Sequence, residues 1–243
     1  MWRAQVEALN AAGRTALAVD LPGHGSRRDE PFSVRACLDT AVRAIDDVGG
    51  RALLVGLSLG GYIAIAHAGE RPDQVAGLVA AACSTTPGGP LTWAWRQSVR
   101  VIDRLPDRGD GLNRAMVRAA IPAQGAADLA AGGFALEVMG PMLEAMSAVR
   151  PLRDLARVTC PVWLVNGQWD HFRRQERAYL RAASSARTAR LVVIPGASHL
   201  VSVVRPVAFT RVLLAALDDL ETPDGSGAGE GAGLLSPQVE RGA

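Results

Sequence analysis

The sequence predicts an α/β fold, a mostly parallel sheet flanked by helices, and three observations carry that expectation. Four short apolar runs, at 51–57, 75–83, 161–166 and 190–194, alternate with stretches of helical periodicity, which is the order that builds βαβ units. The runs are apolar almost throughout instead of alternating, as in strands covered on both faces. At 243 residues, 49% hydrophobic and 21% charged, the chain is long enough to bury a large core in one domain with an insertion.

In order, residues 2–12 read as a helix, with apolar Trp2, Val6 and Leu9 separated by polar Arg3, Gln5 and Glu7, and with Gly13 as its stop. Residues 15–21 read as a buried strand that runs into Asp20-Leu21-Pro22-Gly23-His24-Gly25-Ser26-Arg27, where His24 is better explained as a loop brace than as a catalyst. Ser33 is the N-cap of a helix through Val48, stopped by Gly49-Gly50. The run at 51–57 is a strand and 60–70 the helix that leaves it. Between 87 and 150 the alternation breaks: Trp93, Trp95, Met116, Phe134, Met139, Met142 and Met146 lie among short helices punctuated by Pro90, Pro106, Pro122 and Pro141. As a group they point to an apolar pocket, although each alone fits peripheral core equally well. The pattern resumes with the strand at 161–166, then Gly167-Gln168-Trp169-Asp170, and a helix at 172–183 whose outer face, Arg173, Arg174, Arg177 and Arg181, reads as solvated. The last strand is followed by Pro195-Gly196-Ala197-Ser198-His199 and a helix at 206–220; residues 221–243, rich in Gly, Ala, Ser, Glu and Pro, read as a disordered tail. The chain thus divides into a core at 1–86 and 151–220, an inserted segment at 87–150, and the tail.

Composition narrows the chemistry. A net charge of +2 with scattered charges gives no nucleic-acid surface. All 26 basic residues are Arg, so no lysine exists for a Schiff base, a pyridoxal phosphate anchor or a Walker A loop. Cys37, Cys83 and Cys160 are far apart, in strand or helix contexts, and read as buried reduced thiols of a cytoplasmic protein. No His-x-x-x-His or Cys-x-x-Cys pair supports a metal, no Gly-x-Gly-x-x-Gly supports a dinucleotide, and no apolar run reaches membrane-spanning length. The expectation is therefore no cofactor, no metal, no nucleic acid and no membrane; oligomeric state is left open.

The most informative stretch is Leu53-Leu54-Val55-Gly56-Leu57-Ser58-Leu59-Gly60-Gly61. An apolar strand that ends in Gly-x-Ser-x-Gly and continues into a helix reads as a nucleophile elbow, a turn so sharp that Ser58 takes strained dihedrals. Gly56 and Gly60 are expected to lack the Cβ atoms that would collide there. The turn lifts the Ser58 hydroxyl to the C-terminal edge of the sheet, and the N–H groups opening the next helix point where an anion would form. Gly56-Leu57-Ser58-Leu59-Gly60-Gly61 resembles the elbow of the α/β-hydrolase superfamily, and Pro22 to Ser26 resembles the loop after the fourth strand of many of its members.

That resemblance implies Ser58 as nucleophile, His199 as base and Asp170 as the acid that orients it, all following strands and in the order Ser, Asp, His. The alternatives are weaker: His171 adjoins Asp170, His67 lies beyond the elbow, and no carboxylate occurs between Asp73 and Asp103. The backbone N–H of Leu59 would be one oxyanion donor. The second should come from a His-Gly loop after a third strand, and neither is in this sequence, which starts in the helix that follows. The expectation is that the first strands of the usual sheet are missing and that Met1 is not the natural start. The resemblance also makes 87–150 a helical cap, with Trp93, Trp95, Met139 and Met142 lining its pocket. It implies hydrolysis of a small apolar ester, lactone or thioester through an acyl-serine, without cofactor. Within the same fold the alternatives are carbon-carbon bond hydrolysis and haloperoxidase-like chemistry; outside catalysis, the alternative is small-ligand binding.

Overall fold

In a computed structural model of the chain, described over residues 1–87, 121–132 and 138–222 and at isolated positions between 93 and 118, the strands form one parallel sheet in sequence order. These are β1 (Ala52–Leu57), β2 (Val75–Ala81), β3 (Val162–Gly167) and β4 (Ala189–Ile194). Leu57 is in register with Ala81, and Ala81 with Val165, so the loops that follow these strands open on one edge. The helices are α1 (Arg3–Ala11), α2 (Val34–Asp47), α3 (Leu59–Glu70), α4 (Ala123–Gly132), α5 (Met139–Met146), α6 (Pro151–Leu155), α7 (Glu176–Ala182), α8 (Val201–Val204) and α9 (Pro206–Glu221).

The apolar runs are explained by burial on both faces. Leu78, Ala80, Val162 and Leu164 pack with Ile65 and Ala68 of α3, Leu155 of α6 and Tyr179 of α7. Their neighbours Val79, Ala81, Trp163 and Val165 pack on the opposite face with Phe209, Leu213 and Ala216 of α9, with Trp2 of α1 against Phe209. Successive side chains of a strand point to opposite faces, so a strand between two helical layers has no polar positions to spare. The Ser33 hydroxyl caps α2 by accepting from the Ala36 N–H at 3.1 Å, and Cys37, Leu38, Ala41 and Ile45 bury one stripe of that helix.

Three expectations are corrected. Residues 15–21 form no strand: no backbone group of that run pairs with β1, which pairs with β2 alone among the described residues. Leu17 and Val19 are 55% and 40% exposed. Apolar, β-prone residues make a strand only when a neighbour satisfies their N–H and C=O groups. The helix expected at 172–183 begins only at Glu176; the Phe172 carbonyl, which the first turn of a longer helix would use, accepts instead from the Thr85 hydroxyl at 2.7 Å. Gln5, read as one of the polar residues between the apolar positions of α1, is buried, and its Nε2 donates to the Ser202 carbonyl at 3.0 Å. Trp95, Met116, Phe134 and the tail from 223 on lie outside the described residues.

Candidate active site

Ser58 sits between β1 and α3 at φ 53°, left-handed backbone for a residue with a Cβ, at a cost of about 1–3 kcal/mol. Its N–H donates to the Ala81 carbonyl at 2.8 Å, and its own carbonyl accepts from Gly61 and Tyr62, so sheet and helix together hold the strain. A Cβ on Gly56 would stand 2.1 Å from the Gly60 carbonyl oxygen, and one on Gly61 2.7 Å from Cys83 Sγ, whereas one on Gly60 would meet nothing within 4 Å. The tight glycines of the turn are thus Gly56 and Gly61; the expectation for Gly60 is corrected. Leu59 is the first residue of α3, and the first N–H of a helix has no intrahelical acceptor.

The His199 ring spans the gap between the two other residues of the set: Nε2 is 2.9 Å from Ser58 Oγ and Nδ1 is 3.0 Å from Asp170 Oδ1. Asp170 follows β3 and its side chain is fully buried. Burial opposes its charge, but the hydrogen bond and charge of His199 and the Phe172 N–H outweigh it and hold the carboxyl below its ordinary value of 3.8. An ionised Asp170 can only accept. The proton between it and His199 therefore belongs to Nδ1, which leaves Nε2 to accept from the Ser58 hydroxyl.

Other groups frame this set. The rings of Phe172 and His171 lie 4.9 and 5.1 Å from the His199 ring; burial, aided by the charge of His199 and opposed by Asp170, lowers the pKa of His171. Gln168 stitches the acid loop to the histidine loop, its N–H donating to Ile194 and its Oε1 accepting from the Gly196 N–H. Neither Phe172 nor Gln168 stood out in the sequence, because their roles come from contacts across 27 and 28 positions, and only their closeness to Asp170 marked them. His24 Nδ1 lies 3.1 Å from the Pro22 carbonyl of its own loop. Of the residues expected to line a pocket, Met139 and Met142 are half-buried and Trp93 is 65% exposed. All three cysteines are buried, and burial pushes the thiols of Cys37 and Cys160 up to about 11. Among the described residues no cluster of His, Cys, Asp and Glu could hold a metal ion, and no helix is long and apolar enough to cross a membrane.

Residues 1–212 match the model of the alpha/beta hydrolase family. The chain belongs to that family. A pimeloyl-[acyl-carrier protein] methyl ester esterase of Edwardsiella ictaluri is 37% identical over 94 residues, 38% of this chain and 35% of that protein. Against the curated relatives that it matches, the chain aligns over 24% to 36% of their length. Among solved structures, a thermophilic esterase from Thermogutta terrifontis superposes with a TM-score of 0.74 at 24% identity, covering 91% of this chain and 85% of that one. The enol-lactonase of Burkholderia xenovorans LB400 superposes with a TM-score of 0.71 at 22% identity, covering 89% and 85%. At these identities the structural likeness speaks for the α/β-hydrolase fold.

Proposed function

We propose that the chain is a serine hydrolase that cleaves a small apolar carboxylic ester or lactone through an acyl-serine intermediate. The observation that carries this is the pair of contacts made by His199, 2.9 Å to Ser58 and 3.0 Å to Asp170, with the serine on a strained elbow. As His199 Nε2 takes its proton, Ser58 Oγ attacks the substrate carbonyl carbon; Asp170 stabilises the imidazolium and the Leu59 N–H faces the oxyanion. Collapse expels the alkoxide, which His199 protonates as it leaves. A water then attacks the acyl-serine carbonyl with His199 again as base, and release of the acid restores Ser58. The aligned relatives, methyl ester esterases and an esterase, support an ester bond over a carbon-carbon bond.

A helical cover over the site is part of this proposal. Helix α4 packs on α8, two residues beyond His199, with a Cβ on Gly125 only 2.9 Å from the Val203 carbonyl oxygen. Val138 at the start of α5 lies against Gly23, and Met142 packs on the cluster that contains Tyr62. The segment that would enclose an acyl or alkyl group is thus anchored to both the histidine loop and the loop at 22–26. Incubation with a fluorophosphonate should add one adduct to the intact mass, and Ser58→Ala should abolish both the adduct and hydrolysis of p-nitrophenyl butyrate. A folded chain that stays unlabelled, or a Ser58→Ala variant that labels equally, overturns the reading.

A further inference from the structure

We propose that Thr85 and Tyr62 are positioning residues that hold the acid Asp170 in register with the nucleophile Ser58 through a ring of hydrogen bonds closing behind the triad. This rests on the reading of Ser58, His199 and Asp170 as a working triad. One half of the ring is the triad itself. The other half starts at the Ser58 carbonyl, which accepts from the Tyr62 N–H at 3.2 Å. The Tyr62 phenol, on the nucleophile's own helix and 7% exposed, donates to the Thr85 carbonyl at 2.5 Å. The Thr85 hydroxyl donates to the Phe172 carbonyl at 2.7 Å, and the Phe172 N–H donates to Asp170 Oδ1 at 2.9 Å. Asp170 Oδ1 is the oxygen that also meets His199 Nδ1, so the placement of the Phe172 peptide sets where the histidine finds its partner.

The surrounding backbone is built to make this connection. Ala82 turns the chain at φ 54° just after β2 and sends Ser84 to Thr86 across to the loop after β3. There the Ser84 carbonyl accepts from the Gln175 N–H and the Thr86 N–H donates to Gln175 Oε1. Thr85 Oγ1 works twice, donating to Phe172 and accepting from the Arg174 N–H at 3.3 Å. Burial raises the pKa of the Tyr62 phenol, which keeps it protonated and a donor. Neither residue touches the reacting atoms. Both act through Phe172, and displacement of a catalytic group by about 1 Å can cost on the order of 10²-fold in rate.

Thr85→Val keeps the side-chain shape and removes both hydroxyl bonds; Thr85→Ser keeps the hydroxyl. The expected result for Thr85→Val is a kcat on p-nitrophenyl butyrate lower by about tenfold with KM within about twofold. The acid limb of its kcat/KM profile should move to lower pH, because a looser Asp170 stabilises the imidazolium less and lets the base lose its proton sooner. Tyr62→Phe should shift the limb in the same direction, and Thr85→Ser should return both rate and limb towards the parent. The downfield proton resonance of the His199 to Asp170 hydrogen bond should move or broaden in Thr85→Val and recover in Thr85→Ser; this readout needs no turnover. If the parent chain neither labels nor hydrolyses esters, the functional reading fails while the resonance still tests the ring. A parent-like limb and resonance in folded Thr85→Val and Tyr62→Phe, or a Thr85→Ser no better than Thr85→Val, overturns the proposal.

Discussion

A buried imidazole is costly to charge, and His67 sits where that cost is felt. It lies on α3, 1% exposed, and burial lowers its pKa from 6.5 against the pull of Gln74. A folded value below the unfolded one means that the stability tied to the neutral ring is fully present above about pH 6.5 and is lost as pH falls through the folded value. Asp170 acts with the same sign in a lower window, its ionised form contributing above the ordinary 3.8 and lost only as pH falls through its own depressed value. The urea midpoint should therefore drop between pH 7 and pH 5, and His67→Gln should flatten that slope. An unchanged slope in His67→Gln would show that His67 does not report its burial. The sequence already set His67 apart from the triad by its distance from the elbow, but not its burial, since a helix position shows its neighbours only once α3 has packed on β1 and β2.

At the scale of elements, the elbow shows how far a motif carries. Gly-x-Ser-x-Gly located the turn, and the structure redistributed the roles of its glycines. Gly56→Ala would drive a Cβ into the Gly60 carbonyl, a backbone group that cannot swing aside, and should cost about 3 kcal/mol or more and abolish fluorophosphonate labelling. Gly60→Ala faces open space in a helix and should raise stability by about 0.5–1 kcal/mol. Thermal midpoints of the two variants, expected to move in opposite directions, check both statements. Where local signals agreed with packing, as at the Ser33 cap or the ends of β2 and β3, the sequence placed elements to within two residues. It failed where a side chain from a distant loop takes a backbone group that a helix needs, as the Thr85 hydroxyl does with the Phe172 carbonyl before α7.

The whole molecule is a parallel sheet with helices on both faces and, among the described residues, two edge strands, β1 and β4. Because β2 and β3 have neighbours on both sides and β1 has β2 alone, the β1 amides that point away from β2 should exchange hydrogen well before those of β2 and β3. Native-state exchange read by mass spectrometry tests this; equal protection across the three strands would mean that β1 has a second partner. By itself the sequence determined the fold class and four strands, because apolar runs and turn glycines are properties of neighbours in the chain, while Ser58, Asp170 and His199 were named through the resemblance of the elbow and of the loops after the strands. Only the tertiary structure decided that residues 15–21 are not a strand, that Gly61 and not Gly60 is the second tight glycine, and that Thr85 reaches the acid loop. Each of those depends on atoms brought close from distant positions, and a hydrogen bond or a collision exists only once the chain has folded to bring both partners there.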